Sequence, residues 1–208
     1  MVKLFKRCLE AEYTHLADGG DYAVQVDGDT LYLLFEWSDG AEDWKSNFDF
    51  PVVAYKNGEV EWKCHRGFLA RWKAMRDDIE KIASGILMTD PAVRNITCIG
   101  YSHGAAIAVL ATEDMEYLYG KYFNVKGYGF GAPRVLWGNI PCAVKERLKN
   151  FTTIRNVPDL VTHVPPVLFG YRNAGTLKKV GSLGKYGPIK AHTPEAYLAE
   201  LEGGDVQC

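Results

Sequence analysis

Gly100-Tyr101-Ser102-His103-Gly104 sets a serine between two glycines in the spacing G-x-S-x-G. An apolar run, Ile96-Thr97-Cys98-Ile99, leads into it, and a stretch rich in small residues (Ala105, Ala106, Ala108, Ala111) leads out. Strand, tight turn and helix in that order expose a serine hydroxyl at the tip of a bend. Side chains at 100 and 104 would collide with the neighbouring strand and helix, so both positions are glycine. The helix N-terminus beneath the serine favours developing negative charge. Such a serine performs nucleophilic acyl chemistry when a histidine takes its proton and a carboxylate orients that histidine.

The chain order for this kind of bend is serine, acid, histidine. Two aspartates, Asp114 and Asp159, lie between Ser102 and the last histidine. Asp114 is on the helix that Ser102 opens, about 18 Å along its axis at 1.5 Å per residue, too far to share a histidine with the serine. Asp159 follows a strand-like run, Ile154-Arg-Asn-Val-Pro-Asp159, where a loop at the carboxyl edge of a sheet should begin. Glu146, in mid-helix, is the reserve. Of five histidines, His15 and His65 precede the serine and break the order. His103 is adjacent to Ser102; its ring should diverge, while its backbone N–H is placed for an oxyanion. His163 reads as a loop histidine positioning Val164-Pro165-Pro166. His192 lies in a loop before the last helix and is free to turn toward the sheet. The candidate triad is therefore Ser102, Asp159 and His192.

These residues need a scaffold of alternating strands and helices. Residues 3–17 read as an amphipathic helix. Residues 22–26 and 30–37 read as strands around the turn Asp27-Gly28-Asp29, and 51–55 and 59–63 as strands around Asn57-Gly58. Phe68, Leu69, Trp72, Met75, Ile79 and Ile82 recur at helical spacing, predicting a helix over 67–83. A strand over 95–100, a helix over 103–119, a strand over 125–130, a helix over 143–149 and a strand over 151–157 follow. Residues 171–181 read as a weak hairpin. Residues 193–202 close as a helix, with Thr193 as N-cap, Pro194 in its first position, and Ala196, Tyr197 and Leu201 inward. This alternation predicts an α/β fold with a mostly parallel central sheet, antiparallel N-terminal edge strands and helices on both faces.

The composition excludes other classes. With 208 residues, no repeat and no low-complexity linker, 1–208 reads as one domain. The net charge is −2, from 24 basic and 26 acidic residues, and no Lys/Arg run of the nucleic-acid kind is present. No apolar run is long enough to span a bilayer. The N-terminus lacks a signal-peptide pattern, so the protein is expected in the cytoplasm, or secreted if a leader has been removed. Five scattered cysteines (8, 64, 98, 142, 208) form neither a disulfide framework nor a C-x-x-C zinc pattern and read as reduced thiols. No metal or other cofactor is expected.

Taken together, several segments resemble the class 3 lipases, the fungal triacylglycerol lipase-like family. Cys64-His65-Arg66-Gly67-Phe68-Leu69 resembles the family's V-H-x-G-F, and Gly100-Tyr-Ser-His-Gly-Ala-Ala106 its G-H-S-L-G-G-A. Gly129-Phe-Gly-Ala-Pro-Arg134 resembles T-F-G-x-P-R, and Gly138-Asn139 follows it. Asn156-Val-Pro-Asp-Leu-Val-Thr-His-Val-Pro-Pro166 resembles N-x-x-D-x-V-x-x-x-P-P; Tyr171-Arg-Asn-Ala-Gly175 and His192 with Tyr197-Leu198 fit the C-terminal part. The likeness runs from about residue 30 to 200, in order and spacing. It implies an α/β-hydrolase fold, no cofactor, and the triad Ser102, Asp159, His192. It also implies that Phe35-Glu36-Trp37-Ser38 stands where the family has F-R-G-T/S, with Ser38 the second oxyanion donor beside the His103 N–H. Glu36 and Trp37 depart from that pattern, and tryptophan in place of glycine removes backbone freedom there.

The family's lid corresponds to residues 39–50. If that segment is helical, Trp44 and Phe48 share one face, and with Trp37 they become candidate substrate contacts. It reads equally as a solvated loop anchored by two aromatics. The sequence thus points to a serine hydrolase of carboxylic esters, lipid or short-chain. Transient contact with a lipid surface is an open expectation, and no nucleic-acid or protein partner is expected. Two rivals stay open: a non-catalytic, lipid-binding or interaction module, kept alive by Glu36-Trp37, and an acyltransferase using the same triad.

Overall fold

The structure is a computed structural model and describes residues 1–17, 21–37, 51–204 and 206–207. In chain order its elements are α1 (Val2–Leu9), β1 (Thr14–His15), β2 (Asp21–Asp27), β3 (Thr30–Phe35), β4 (Val52–Asn57), β5 (Val60–His65) and α2 (Arg66–Thr89). They continue with β6 (Asn95–Tyr101), α3 (His103–Tyr119), β7 (Asn124–Phe130), β8 (Leu136–Trp137), α4 (Cys142–Arg147) and β9 (Phe151–Asn156). The last are β10 (Tyr171–Arg172), β11 (Thr176–Val180), α5 (Pro194–Glu202) and β12 (Val206–Gln207).

The main sheet has eight strands in the order β1-β2-β3-β6-β7-β9-β11-β12. The run from β3 to β11 is parallel throughout. β2 is antiparallel to β3 at the N-terminal edge, as the sequence predicts, β1 adds a further antiparallel strand outside it, and β12 is antiparallel at the other edge. Both faces are covered, which explains why β3 reads Leu-Tyr-Leu-Leu-Phe with little alternation. Leu33 and Cys98 pack with α2, α3 and α4 on one face; Leu34 and Ile99 pack with α1 and α5 on the other. Because five consecutive strands run the same way, their carboxyl ends lie along one edge. β6 delivers Ser102 there, β9 delivers Asp159, and the chain after β11 returns there with His192.

Three expectations need correction. The N-terminal helix ends at Leu9 rather than reaching residue 17. The Tyr13 hydroxyl donates to the Cys8 carbonyl at 2.6 Å, closing the helix end, and Thr14 and His15 then pair with Tyr22 and Asp21. The β4–β5 hairpin is not an edge of the main sheet; it joins a second sheet in the order β10-β8-β5-β4. Residues 171–181 are not a hairpin either. Tyr171 and Arg172 pair with Trp137 and Leu136 in the second sheet, while β11 runs parallel to β9 in the first.

Candidate active site

Ser102 has φ 53° and ψ −120°. It is the one non-glycine residue with positive φ among the described residues, a conformation that costs about 1–3 kcal/mol and persists only where its surroundings enforce it. The enforcement is visible. The Ser102 N–H donates to the Phe130 carbonyl of β7 at 2.9 Å, and its own carbonyl accepts from Ala105 N–H at 3.1 Å. A Cβ on Gly100 would lie 2.6 Å from the Ala105 nitrogen, and one on Gly104 2.6 Å from the Glu36 carbonyl oxygen. The bend therefore requires glycine at both positions, because strand, helix and the end of β3 meet there backbone to backbone.

The imidazole of His192 joins this serine to the acid. Its Nε2 lies 2.7 Å from Ser102 Oγ and its Nδ1 2.8 Å from Asp159 Oδ2. An ionised carboxylate only accepts, so Nδ1 carries the proton and Nε2 is left to accept from the serine hydroxyl. Asp159 is fully buried. Its Oδ1 accepts from Val161 N–H at 2.9 Å, and its Oδ2 also accepts from the Tyr197 hydroxyl at 2.6 Å. Tyr197 in turn accepts from Asn156 N–H at 3.0 Å, at the very end of β9. Asn156 Nδ2 donates to the Ala191 carbonyl at 2.9 Å, which fixes the loop carrying His192. The Tyr101 ring stacks on the imidazole (centroids 5.3 Å apart, 25° between planes), and its hydroxyl donates to the His192 carbonyl. Burial, reinforced by the charge of Asp159, pushes the hydroxyls of both tyrosines well above their ordinary value, so they serve as neutral donors.

The other sequence candidates sort by position. Asp114 is fully buried but lies far down α3, accepting from Trp72 Nε1 at 3.0 Å and Asn57 Nδ2 at 2.9 Å. Glu146 lies on α4 beside Lys149, 3.6 Å away. The His65 ring caps α2, its Nδ1 accepting from Gly67 N–H at 3.1 Å. His15 faces Asp21 across the edge strands. His163 ends a short 3-10 turn, and its carbonyl is held by Arg134, as expected of a loop residue. His103 is the first residue of α3, so its N–H belongs to the opening turn of that helix, and its ring meets Phe68 edge-on at 5.4 Å. Trp37 packs edge-on against Tyr101 at 6.0 Å and Tyr13 at 6.4 Å, next to the bend. Ser38, Trp44, Phe48 and the whole segment 39–50 lie outside the described residues.

Tyr197, Tyr101 and Asn156 are the functional neighbours that sequence reasoning missed. Helical spacing turned Tyr197 inward without saying what its hydroxyl would reach. The signal for Tyr101 was its place inside the G-x-S-x-G pattern, and for Asn156 its place at a strand end three residues before the acid. Two surface concavities, of about 510 Å³ beside Tyr22 and Ile86 and about 940 Å³ beside Leu148 and Arg172, contain none of the three triad residues. The hydrogen-bonded chain, not a cavity, identifies this site.

Comparison with known proteins agrees with the geometry. The chain is 30% identical over 157 residues to a secreted mono- and diacylglycerol lipase A of Penicillium cyclopium, covering 73% of this chain and 48% of that protein. It is 28% identical over 165 residues to a lipase of Rhizopus oryzae, covering 77% of this chain and 41% of that one. It thus spans about half the length, or less, of these curated relatives. Among solved structures, lipase II from Rhizopus niveus superposes with a TM-score of 0.73 at 23% identity, over 82% of this chain and 66% of that one. That likeness shows an α/β-hydrolase fold. The model of the family described as Lipase (class 3) matches residues 32–169, a span that holds the bend, the acid and all the parallel strands but β11 and the start of β3. By that match the chain belongs to the class 3 lipase family.

Proposed function

We propose that this protein hydrolyses carboxylic esters of acyl lipids through an acyl-enzyme on Ser102. His192 Nε2 removes the hydroxyl proton as Ser102 Oγ attacks the acyl carbonyl. The imidazolium then protonates the departing alcohol. Asp159 holds the ring with Nδ1 protonated and stabilises its charge. The N–H of His103, at the start of α3, donates to the oxyanion, and Ser38 supplies the second donor. Water, deprotonated by the same histidine, releases the acid. Trp37, Trp44 and Phe48, with the lid 39–50, bound the acyl group.

One observation carries this reading: the unbroken chain from serine to imidazole to buried carboxylate, with contacts of 2.7 and 2.8 Å. Membership of the class 3 lipases supports it, as do relatives named for cleaving mono- and diacylglycerols. Those relatives are also named as secreted, which favours action outside the cell over the cytoplasmic expectation. The test is hydrolysis of a short-chain nitrophenyl ester and of a diacylglycerol emulsion. Ser102→Ala should lower kcat by about a thousandfold or more, and a fluorophosphonate probe should label the native chain but not the variant. A folded native chain that neither cleaves the esters nor takes the label would sink the proposal.

A further inference from the structure

His15, Asp21 and Glu36 stand together at the N-terminal edge of the main sheet, outside the triad. Their spacing along the chain follows no metal-binding pattern, because strand pairing alone assembles them. His15 of β1 is the register partner of Asp21, the first residue of β2. The Asp21 carbonyl in turn accepts from Glu36 N–H at 3.2 Å, just past the end of β3. Backbone hydrogen bonds thus fix the three residues side by side, and their side chains converge. His15 Nδ1 lies 2.9 Å from Asp21 Oδ1 and 3.5 Å from Glu36 Oε2, and the three atoms all lie within 4.8 Å of one another. No other group of His, Cys, Asp or Glu gathers three such atoms among the described residues.

The donor set is one imidazole nitrogen and two carboxylate oxygens. Bonds to zinc of about 2.0–2.2 Å place ligand atoms roughly 3–4 Å apart, close to the separations found here. One proton on the imidazole balances one of the two carboxylates, whereas a divalent cation balances both. The ring nitrogen selects against calcium and magnesium, which take oxygen ligands, and favours zinc and its neighbours among the divalent transition metals. Side-chain exposures of 67% for His15, 36% for Asp21 and 27% for Glu36 leave the remaining coordination positions to water. The place also matters mechanically. A Cβ on Gly104 would lie 2.6 Å from the Glu36 carbonyl oxygen, so this residue packs against the helix that Ser102 opens. Trp37 follows it, edge-on to Tyr101 at 6.0 Å, and Tyr101 stacks on the His192 ring. Glu36 stands where the class 3 pattern has arginine, so the second carboxylate is this chain's own.

We infer that His15, Asp21 and Glu36 bind a divalent transition-metal cation of the zinc type, which fastens the end of β3 to β1 and β2 where that strand meets the catalytic bend. The ion takes the place of the proton that His15 Nδ1 shares with Asp21, and that proton passes to solvent. Its role is to hold three strands, and no step of ester cleavage runs through it. The inference stands apart from the ester-hydrolase reading, because binding is measured without substrate.

The experiment titrates zinc chloride into the whole chain by calorimetry, after a chelator wash and with accessible thiols alkylated so that the exposed Cys142 does not compete. The native chain should take up one ion. His15→Gln, Asp21→Asn and Glu36→Gln, each made singly, should weaken binding about tenfold or more, while His163→Gln should leave it unchanged. Zinc should raise the melting midpoint of the native chain and leave that of His15→Gln where it was. Excess calcium or magnesium should not displace the ion. Near-UV circular dichroism checks that each variant is folded. A folded native chain that binds no zinc, uptake that the three folded site variants retain in full, or displacement of zinc by calcium would overturn the inference. Cleavage of a soluble ester is read separately, so loss of the metal site leaves the enzymatic reading standing and the reverse holds equally.

Discussion

Tyr197 and His192 both donate to Asp159 Oδ2 and Val161 N–H donates to Oδ1, so the acid accepts three hydrogen bonds that together fix its plane. Tyr197→Phe removes a donor from Asp159 Oδ2 and leaves the Asn156 N–H without its acceptor, which should cost about 1–3 kcal/mol of stability. We expect kcat on a soluble ester to fall about tenfold with KM unchanged, because the ring of His192 loses a fixed partner, not the substrate a contact. A fall in thermal stability with unchanged kcat would make Tyr197 purely structural. Asp159→Asn should be more severe, lowering kcat by about ten-thousandfold with little loss of secondary structure, since the amide favours the wrong imidazole tautomer.

The helix α3 is where catalysis and stability meet. Its first turn underlies Ser102, and a buried ionic network grips it further along. Asp114 accepts from Trp72, Asn57 and Tyr55 and pairs with Arg76, while Glu113 pairs with Arg147 at 2.6 Å. These contacts lock α3 to α2, α4 and the β4–β5 hairpin. Removing Asp114 leaves the buried Trp72 Nε1 donor without its acceptor and Arg76 with Glu80 as its remaining counter-charge, so Asp114→Ala should cost about 1–3 kcal/mol, read as a lower urea midpoint. Asp114→Ala should leave the hydrogen bonds of the triad intact in whatever fraction stays folded. At the other end of the helix, Gly104→Ala would drive a methyl group into the Phe35 and Glu36 carbonyls. The end of β3 must then move, and we expect a large loss of both solubility and activity. Retention of native melting and activity would show that the bend has slack.

Cys8, Cys64 and Cys98 are buried, and burial is the main cause that pushes each thiol from 9.0 up to about 12. The unfolded chain ionises these thiols near 9, and the folded chain resists until about 12. Their contribution to stability is therefore complete below pH 9.0 and is lost as pH rises toward about 12. Denaturant midpoints should accordingly fall through that window. Iodoacetamide near neutral pH should modify the exposed Cys142 and spare these three, a result read by mass spectrometry of the tryptic peptides. Modification of Cys98 at the rate of Cys142 would mean that the core opens far more easily than its packing implies.

The serine, histidine and aspartate that meet at the sheet edge could be singled out in the sequence because the constraints on them are local or ordinal. A glycine-flanked serine between an apolar strand and a small-residue helix specifies its own bend, and chain order with helix rise set Asp114 aside and left Glu146 only as a reserve. Helices α2, α3 and α5 were equally legible, since periodicity and the Thr193-Pro194 start are written in neighbouring residues. The hairpin pairs around Gly28 and Gly58 were written in their turns, but only the tertiary structure decided the partners of strands that no tight turn joins. A run such as 171–181 has the composition of strands, but backbone hydrogen bonds carry no side-chain label, so Tyr171 found Trp137 and Thr176 found Thr152 through packing alone. The same is true of Tyr197: spacing turned it toward the core, and the meeting of α5 with the end of β9 gave its hydroxyl an acid to hold.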